Sequence, residues 1–191
     1  MIEIELFPQI DETLTDISLV KYPANESIWL TFAKQNKPIY HFSSDERMVL
    51  TGAVLIPEQR IYRRDGNDEY YVYFSADTIR TISEQFLTHF KNQSFTLEHG
   101  DNTNDVSIVE SWIVEDSEND KSNALGLNLP KGSWVISAKV NSPDLWQRIK
   151  VDKEFEGFSV AGMFCVNKLA EEEVIEEAER VVNEYDKQLT K

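Results

Sequence analysis

The chain has 191 residues, 41% of them hydrophobic and 11% aromatic, enough for one substantial core with a tail beside it. That excludes a disordered chain or a disulfide-stapled miniprotein, and the single cysteine, Cys165, can form neither an internal bridge nor a thiolate metal site by itself. With 19 Lys and Arg against 34 Asp and Glu the formal charge is −15, which repels a phosphate backbone or an anionic membrane, so neither nucleic acid nor membrane is an expected partner.

The N-terminus, MIEIELFPQIDE, is acidic where a secretory leader would be basic. No apolar run approaches the ~18 residues of a membrane span, and a soluble intracellular protein is the expectation. Residues 1–47 read as an N-terminal segment in which polar stretches surround one extended piece, ISLVKYPANESIWLTFA, with Pro23 arguing against a central strand. From Met48 the texture changes. MVLTGAVLIP and EYYVYFS are strand candidates, and RRDGNDE between them reads as a hairpin turn with Asp65-Gly66 supplying positive φ.

Ser75 then suits an N-cap and Asp77 the first helical turn, and Ile79, Ile82, Phe86 and Phe90 recur at helical spacing. Strand readings return in SFTLEH, DVSIVESWIV and SWVISAKV. A short helix follows, with Ser142 as cap, Pro143 in the first position, and Leu145, Trp146 and Ile149 on one face. EGFSVAGMFCV is the next strand. Residues 168–191 hold 8 acids and 4 bases, with Val174, Ala178, Val181, Tyr185 and Leu189 spaced as one helical stripe. That helix either docks on its own domain or begins a partner-binding extension.

Strands outnumber helices by about seven to two or three. The expected fold class is α+β, an antiparallel β-barrel-like sheet with surrounding helices. The expected division is 1–47 as an N-terminal segment, 48–167 as the barrel domain, and 168–191 as the acidic C-terminal helix. No glycine-rich phosphate loop is present in the sequence, which disfavours a doubly wound nucleotide fold.

Three residues stand out chemically. In SFTLEHGD, alternation places Phe95, Leu97 and His99 on one strand face, with the imidazole at the edge of an apolar surface beside a turn. It reads either as a hydrogen-bonded core histidine or as a general base; the other histidines, His41 and His89, read as structural or solvated. Ser159 in EGFSVAGM is bracketed by Gly157 and Gly162, which weaken a strand unless a backbone or ligand approaches closely. It is a small polar residue at a barrel bend or a nucleophile, and a nucleophile needs a base and oxyanion donors. Glu110, flanked by Ile108, Val109, Trp112 and Ile113, is costly to desolvate unless paired. It can orient a histidine, pair with Lys139, or point to solvent. A hard metal site from Glu98, His99 and Asp101 is a further reading, weakened by the crowding of three ligands into one turn.

At these residues a family resemblance enters. MVLTGAVLIP, EYYVYFSADTIR, TLEH, SIVESWIVED, NDKSNALGLNLPKGSWVIS and GFSV, in this order and spacing, resemble the prohead serine proteases of tailed phages and prophages, the capsid-maturation proteases distantly similar to herpesvirus assemblins. The segment ISLVKYPA resembles that family's start, and the likeness runs from about residue 16 to 166. It implies an assemblin-like fold with His99 as general base and Ser159 as nucleophile, 60 positions apart. In the assemblin relatives the third member is a second histidine after the serine, whereas this sequence has none after position 99. A carboxylate is the natural substitute: Glu110, with Glu115 or Asp116 behind it.

The resemblance further implies a serine endopeptidase with no metal or organic cofactor. Its substrates would be the phage scaffold protein and the N-terminal arm of the major capsid protein, cleaved inside the assembling procapsid in the host cytoplasm, with self-cleavage and a homodimer as further expectations. Backbone amides around Val160–Gly162 are the place to seek oxyanion donors. The competing class is a catalytically inactive protease fold serving as scaffold or minor capsid protein.

Overall fold

In the computed structural model, residues 2–9, 13–24, 30–31 and 47–166 are described. The expected helix at 168–191 and His41 therefore lie outside the described residues. Among those described, eleven strands and three helices alternate along the chain. β1 (Ile2–Glu5), β5 (Ile61–Asp65) and β6 (Asp68–Tyr73) form a sheet of order β1-β6-β5. β3 (Leu30–Thr31), β4 (Val49–Leu55), β9 (Val106–Ile113) and β10 (Trp134–Val140) form a second, β3-β4-β10-β9. The third, β11-β2-β7-β8, is built from β2 (Leu14–Val20), β7 (Phe95–Leu97), β8 (Asn102–Thr103) and β11 (Gly157–Gly162).

The fold is thus mixed and mostly sheet. The described strands make three sheets and no closed barrel, and two pairings, β1–β6 and β2–β7, are parallel where antiparallel neighbours were expected. Both depend on strands from the first 20 residues, which pair with strands beyond residue 47. Pro23 fails as an argument against a central strand because β2 ends at Val20. No ladder donor is missing, and β2 lies between β7 and β11.

Local signals built the other elements as their residues dictate. The hairpin β5–β6 closes from Asp65 to Asp68, and Gly66, φ +59°, occupies the first turn position, where a side chain would be strained. Ser75 caps α1 (Ala76–Thr88), whose buried side includes Ile79, Ile82 and Phe86. Phe90 departs from the expected stripe: the helix has ended at His89, and Phe90 turns left-handed at φ +59°, 89% exposed. His89 is part of that ending, its Nδ1 2.7 Å from the Gln85 carbonyl.

Ser142 caps α3 (Pro143–Lys150), which buries Leu145, Trp146 and Ile149. The remaining helix, α2 (Lys121–Ala124), is one turn capped by Asp120. The main core gathers side chains from all three sheets and from α1 and α3, and Trp134 meets Phe86 edge-on at 5.7 Å between ring centres. Each such side chain contributes on the order of 1.5–3 kcal/mol of burial.

Candidate active site

The third sheet holds the residues that chemistry would use. β2 alternates so that Ile17 and Leu19 join the core and Ser18 faces the other way. In the ladder Ser159 of β11 lies directly opposite Ser18, and Ser18 is level with Thr96 of β7. Residues level across neighbouring strands project to the same face with Cβ atoms about 4.5–5.5 Å apart. Ser159, Ser18 and Thr96 therefore form one hydroxyl row. At its centre, Ser18 Oγ is 2.6 Å from Thr96 Oγ1 and 2.9 Å from His99 Nδ1.

His99 reaches that row through an unusual turn. Gly100 N donates to the Leu97 carbonyl at 2.8 Å, and both central residues, Glu98 and His99, are left-handed with φ of +49° and +57°. Asn-Gly is the favoured pair for such a turn, and non-glycine residues held this way cost roughly 1–3 kcal/mol each and cluster at functional sites. The turn also explains why the expected alternation failed. β7 ends at Leu97, the left-handed pair breaks the period of two, and the imidazole arrives on the Thr96 side, away from Phe95 and Leu97.

The turn is fastened to β2 and to the approach to β11. Glu98 N donates to the Leu19 carbonyl at 2.9 Å, and Lys21 N donates to Glu98 Oε1 at 2.6 Å. Lys21 Nζ then bridges to Glu156 Oε1 at 2.7 Å, while Glu156 N donates to the Val20 carbonyl at 2.8 Å. One lysine thus ties together the three stretches that carry His99, Ser18 and Ser159.

Around Ser159 the backbone is irregular. The ladder with β2 shifts register between Ala161 and Gly162, a bulge of the sort found beside active sites. A Cβ on Gly162 would stand 2.1 Å from the Thr13 carbonyl oxygen, so this glycine is required by close backbone approach. Ser159 is buried at 9% exposure and Ser18 fully so, and His99 is exposed.

The structure brings Ser159 and His99 to one face of one sheet with Ser18 between them; the hydrogen bond at His99 Nδ1 is to Ser18. It does not bring Glu110 there. Glu110 lies on β9 in the second sheet, level with Ser137, whose hydroxyl donates to Glu110 Oε2 at 2.7 Å and in turn accepts from Thr51 Oγ1 at 2.9 Å. Lys121 Nζ caps the same oxygen. The Lys121 hydrogen bond, then that of Ser137, holds the Glu110 carboxyl below the usual glutamate range, so it is an ionised acceptor committed to those partners. Neither is it paired with Lys139, whose Nζ donates to the Arg47 carbonyl.

The two fallback acids are also engaged elsewhere. Glu115 pairs with Arg80, and Asp116 accepts from Asn119 and from the amides of Glu118 and Asn119. Among the described residues no three His, Cys, Asp or Glu side chains converge as a metal site. Ser18 is the residue that sequence reasoning missed. Its only signal is a lone serine in an apolar strand, in the ISLVKYPA stretch that was noticed for its resemblance and not for its chemistry.

A comparison with known families agrees with the resemblance. The family model described as "Putative phage serine protease XkdF" matches residues 37–168, more than two thirds of the chain. No curated protein and no solved structure matches the chain. The matched stretch contains both His99 and Ser159, and the chain belongs to this family of phage serine proteases.

Proposed function

We propose that the protein is a prohead maturation endopeptidase that cleaves scaffold and major capsid protein during phage capsid assembly, with Ser159 as nucleophile and His99 as general base. The observation that carries this reading is the shared face: an accessible imidazole, held by a strained turn, beside a serine row in which Ser159 retains solvent contact. The remote link to assemblins and the procapsid setting come from the sequence resemblance alone.

In the reaction, Ser159 Oγ passes its proton to His99 and attacks the scissile carbonyl carbon. The resulting oxyanion is held by backbone amides, for which Val160–Gly162, opposite the irregularity in β2, is the candidate stretch. Collapse breaks the C–N bond, and His99 returns the proton to the leaving amine. Water then attacks the acyl-enzyme, giving one proton to His99 as the ester bond breaks, and that proton restores Ser159.

The test is co-expression of wild type and Ser159→Ala with the capsid and scaffold proteins, followed by intact mass. Loss of processing in the variant is expected. Equal processing in both would remove Ser159 from the mechanism, and none in either would favour an inactive protease fold serving in assembly.

A further inference from the structure

We infer that Ser18 is the positioning residue for His99, occupying Nδ1 and thereby directing Nε2 to Ser159 in place of an acidic third member. The inference rests on the reading of Ser159 and His99 given above. Its first support is contact: Ser18 Oγ stands 2.9 Å from His99 Nδ1, at the position where an orienting group belongs in a serine–histidine site.

Its second support is hydroxyl arithmetic. A serine hydroxyl has one proton and two lone pairs. Ser18 Oγ has two polar neighbours, Thr96 Oγ1 at 2.6 Å and His99 Nδ1 at 2.9 Å. If Ser18 donates to Thr96, it must accept from Nδ1–H, and the neutral ring then carries its lone pair at Nε2. That is the form able to take a proton from Ser159. When it does so, the charge formed on the ring is met at Nδ1 by the Ser18 oxygen. The reverse orientation, with Ser18 donating to Nδ1, would leave Nε2 protonated and useless as a base.

Its third support is access. Ser18 is fully buried and doubly bonded, so no scissile carbonyl can reach it, whereas its ladder partner Ser159 keeps 9% exposure. Ser18 therefore supports the base and does not attack. Thr96 is the end of the chain of hydroxyls, and its role is to draw the Ser18 proton away from the imidazole.

The intact protein and a fluorophosphonate probe test this, with the labelled serine located by peptide mass. Wild type is expected to label at Ser159. Ser18→Ala should still label at Ser159, with the maximal inactivation rate down roughly 10- to 100-fold, the rate equivalent of one charge-assisted hydrogen bond, and the probe's KI unchanged. Ser18→Thr, which keeps the hydroxyl, should recover most of that rate, and Thr96→Val should fall between.

Long-range 1H–15N spectra of wild type supply a readout independent of how any variant folds: the neutral His99 ring should carry its proton on Nδ1, and in Ser18→Ala shift toward Nε2. An undiminished rate in Ser18→Ala, with label still on Ser159, would overturn the role of Ser18 while leaving the protease reading intact; label on Ser18 would overturn Ser159 as nucleophile as well, and an Nε2–H ring in wild type would overturn His99 as base. A wild type that neither labels nor cleaves would overturn both.

Discussion

At the scale of single residues, Glu110 separates a plausible acid from a placed one. Its sequence neighbours suggested a carboxylate that must be paired, and it is paired, but with Lys121 of α2 and Ser137 of β10. Glu110→Gln should leave peptide cleavage within about twofold of wild type, measured as kcat/KM. An orienting acid would instead cost roughly four orders of magnitude. Because the pair is half exposed, the change should destabilise the protein by less than about 1 kcal/mol in urea unfolding. His99 and Ser159 were legible as candidates because a histidine beside a glycine turn and a glycine-bracketed serine are local patterns. Ser18 was not, since its relevance lies in what sits opposite it, 141 positions away.

At the scale of elements, α1 and α3 were the most legible because caps and apolar spacing are written within a few residues, while the single turn of α2 went unread. Ser75, Ser142 and Pro143 do what such residues do at helix starts. The β7 strand was read two residues too long, since nothing in SFTLEH announces that Glu98 and His99 adopt positive φ. Only tertiary fastening explains why they do: the Leu19 carbonyl and the Lys21 amide hold the turn, and the Glu156 carboxylate holds the Lys21 side chain beside it. Lys21→Met should therefore lower kcat by about three- to tenfold while shifting stability by no more than ~1 kcal/mol, as befits a partly exposed ion pair. Steady-state kinetics beside thermal unfolding would check the split; a loss of stability without a loss of kcat would show the lysine to be structural only.

At the scale of the molecule, three sheets share one core, and the third is assembled from β2 near the N-terminus, β7 and β8 in the middle, and β11 near the end of the described chain. An isolated bridge between Phe7 and Cys165 reinforces that closure. Acid stability is a property at this scale. Lys121 and Ser137 lower the Glu110 carboxyl, Arg80 lowers Glu115, and Asn119 with two backbone amides lowers Asp116. Depressed carboxyls contribute stability that is complete above their unfolded values, 4.5 for glutamate and 3.8 for aspartate, and that is lost as pH falls through the folded ones. The thermal midpoint should therefore drop progressively below those values, and Glu110→Gln should flatten part of that drop. A midpoint insensitive to acid would contradict the pairings.

Motifs along the chain were enough for the family, most strands and two helices with their caps, and the resemblance they carry put forward His99 and Ser159 as candidates. The strands and helices are encoded by neighbours in the chain, through periodicity, capping and turn chemistry. Tertiary structure alone decided that β2 is central, that Glu110 is committed elsewhere, and that Ser18 stands between Ser159 and His99. Strand pairing sets these relations across 27 to 141 positions of chain, and a one-residue slip in register would turn every hydroxyl of the row to the opposite face.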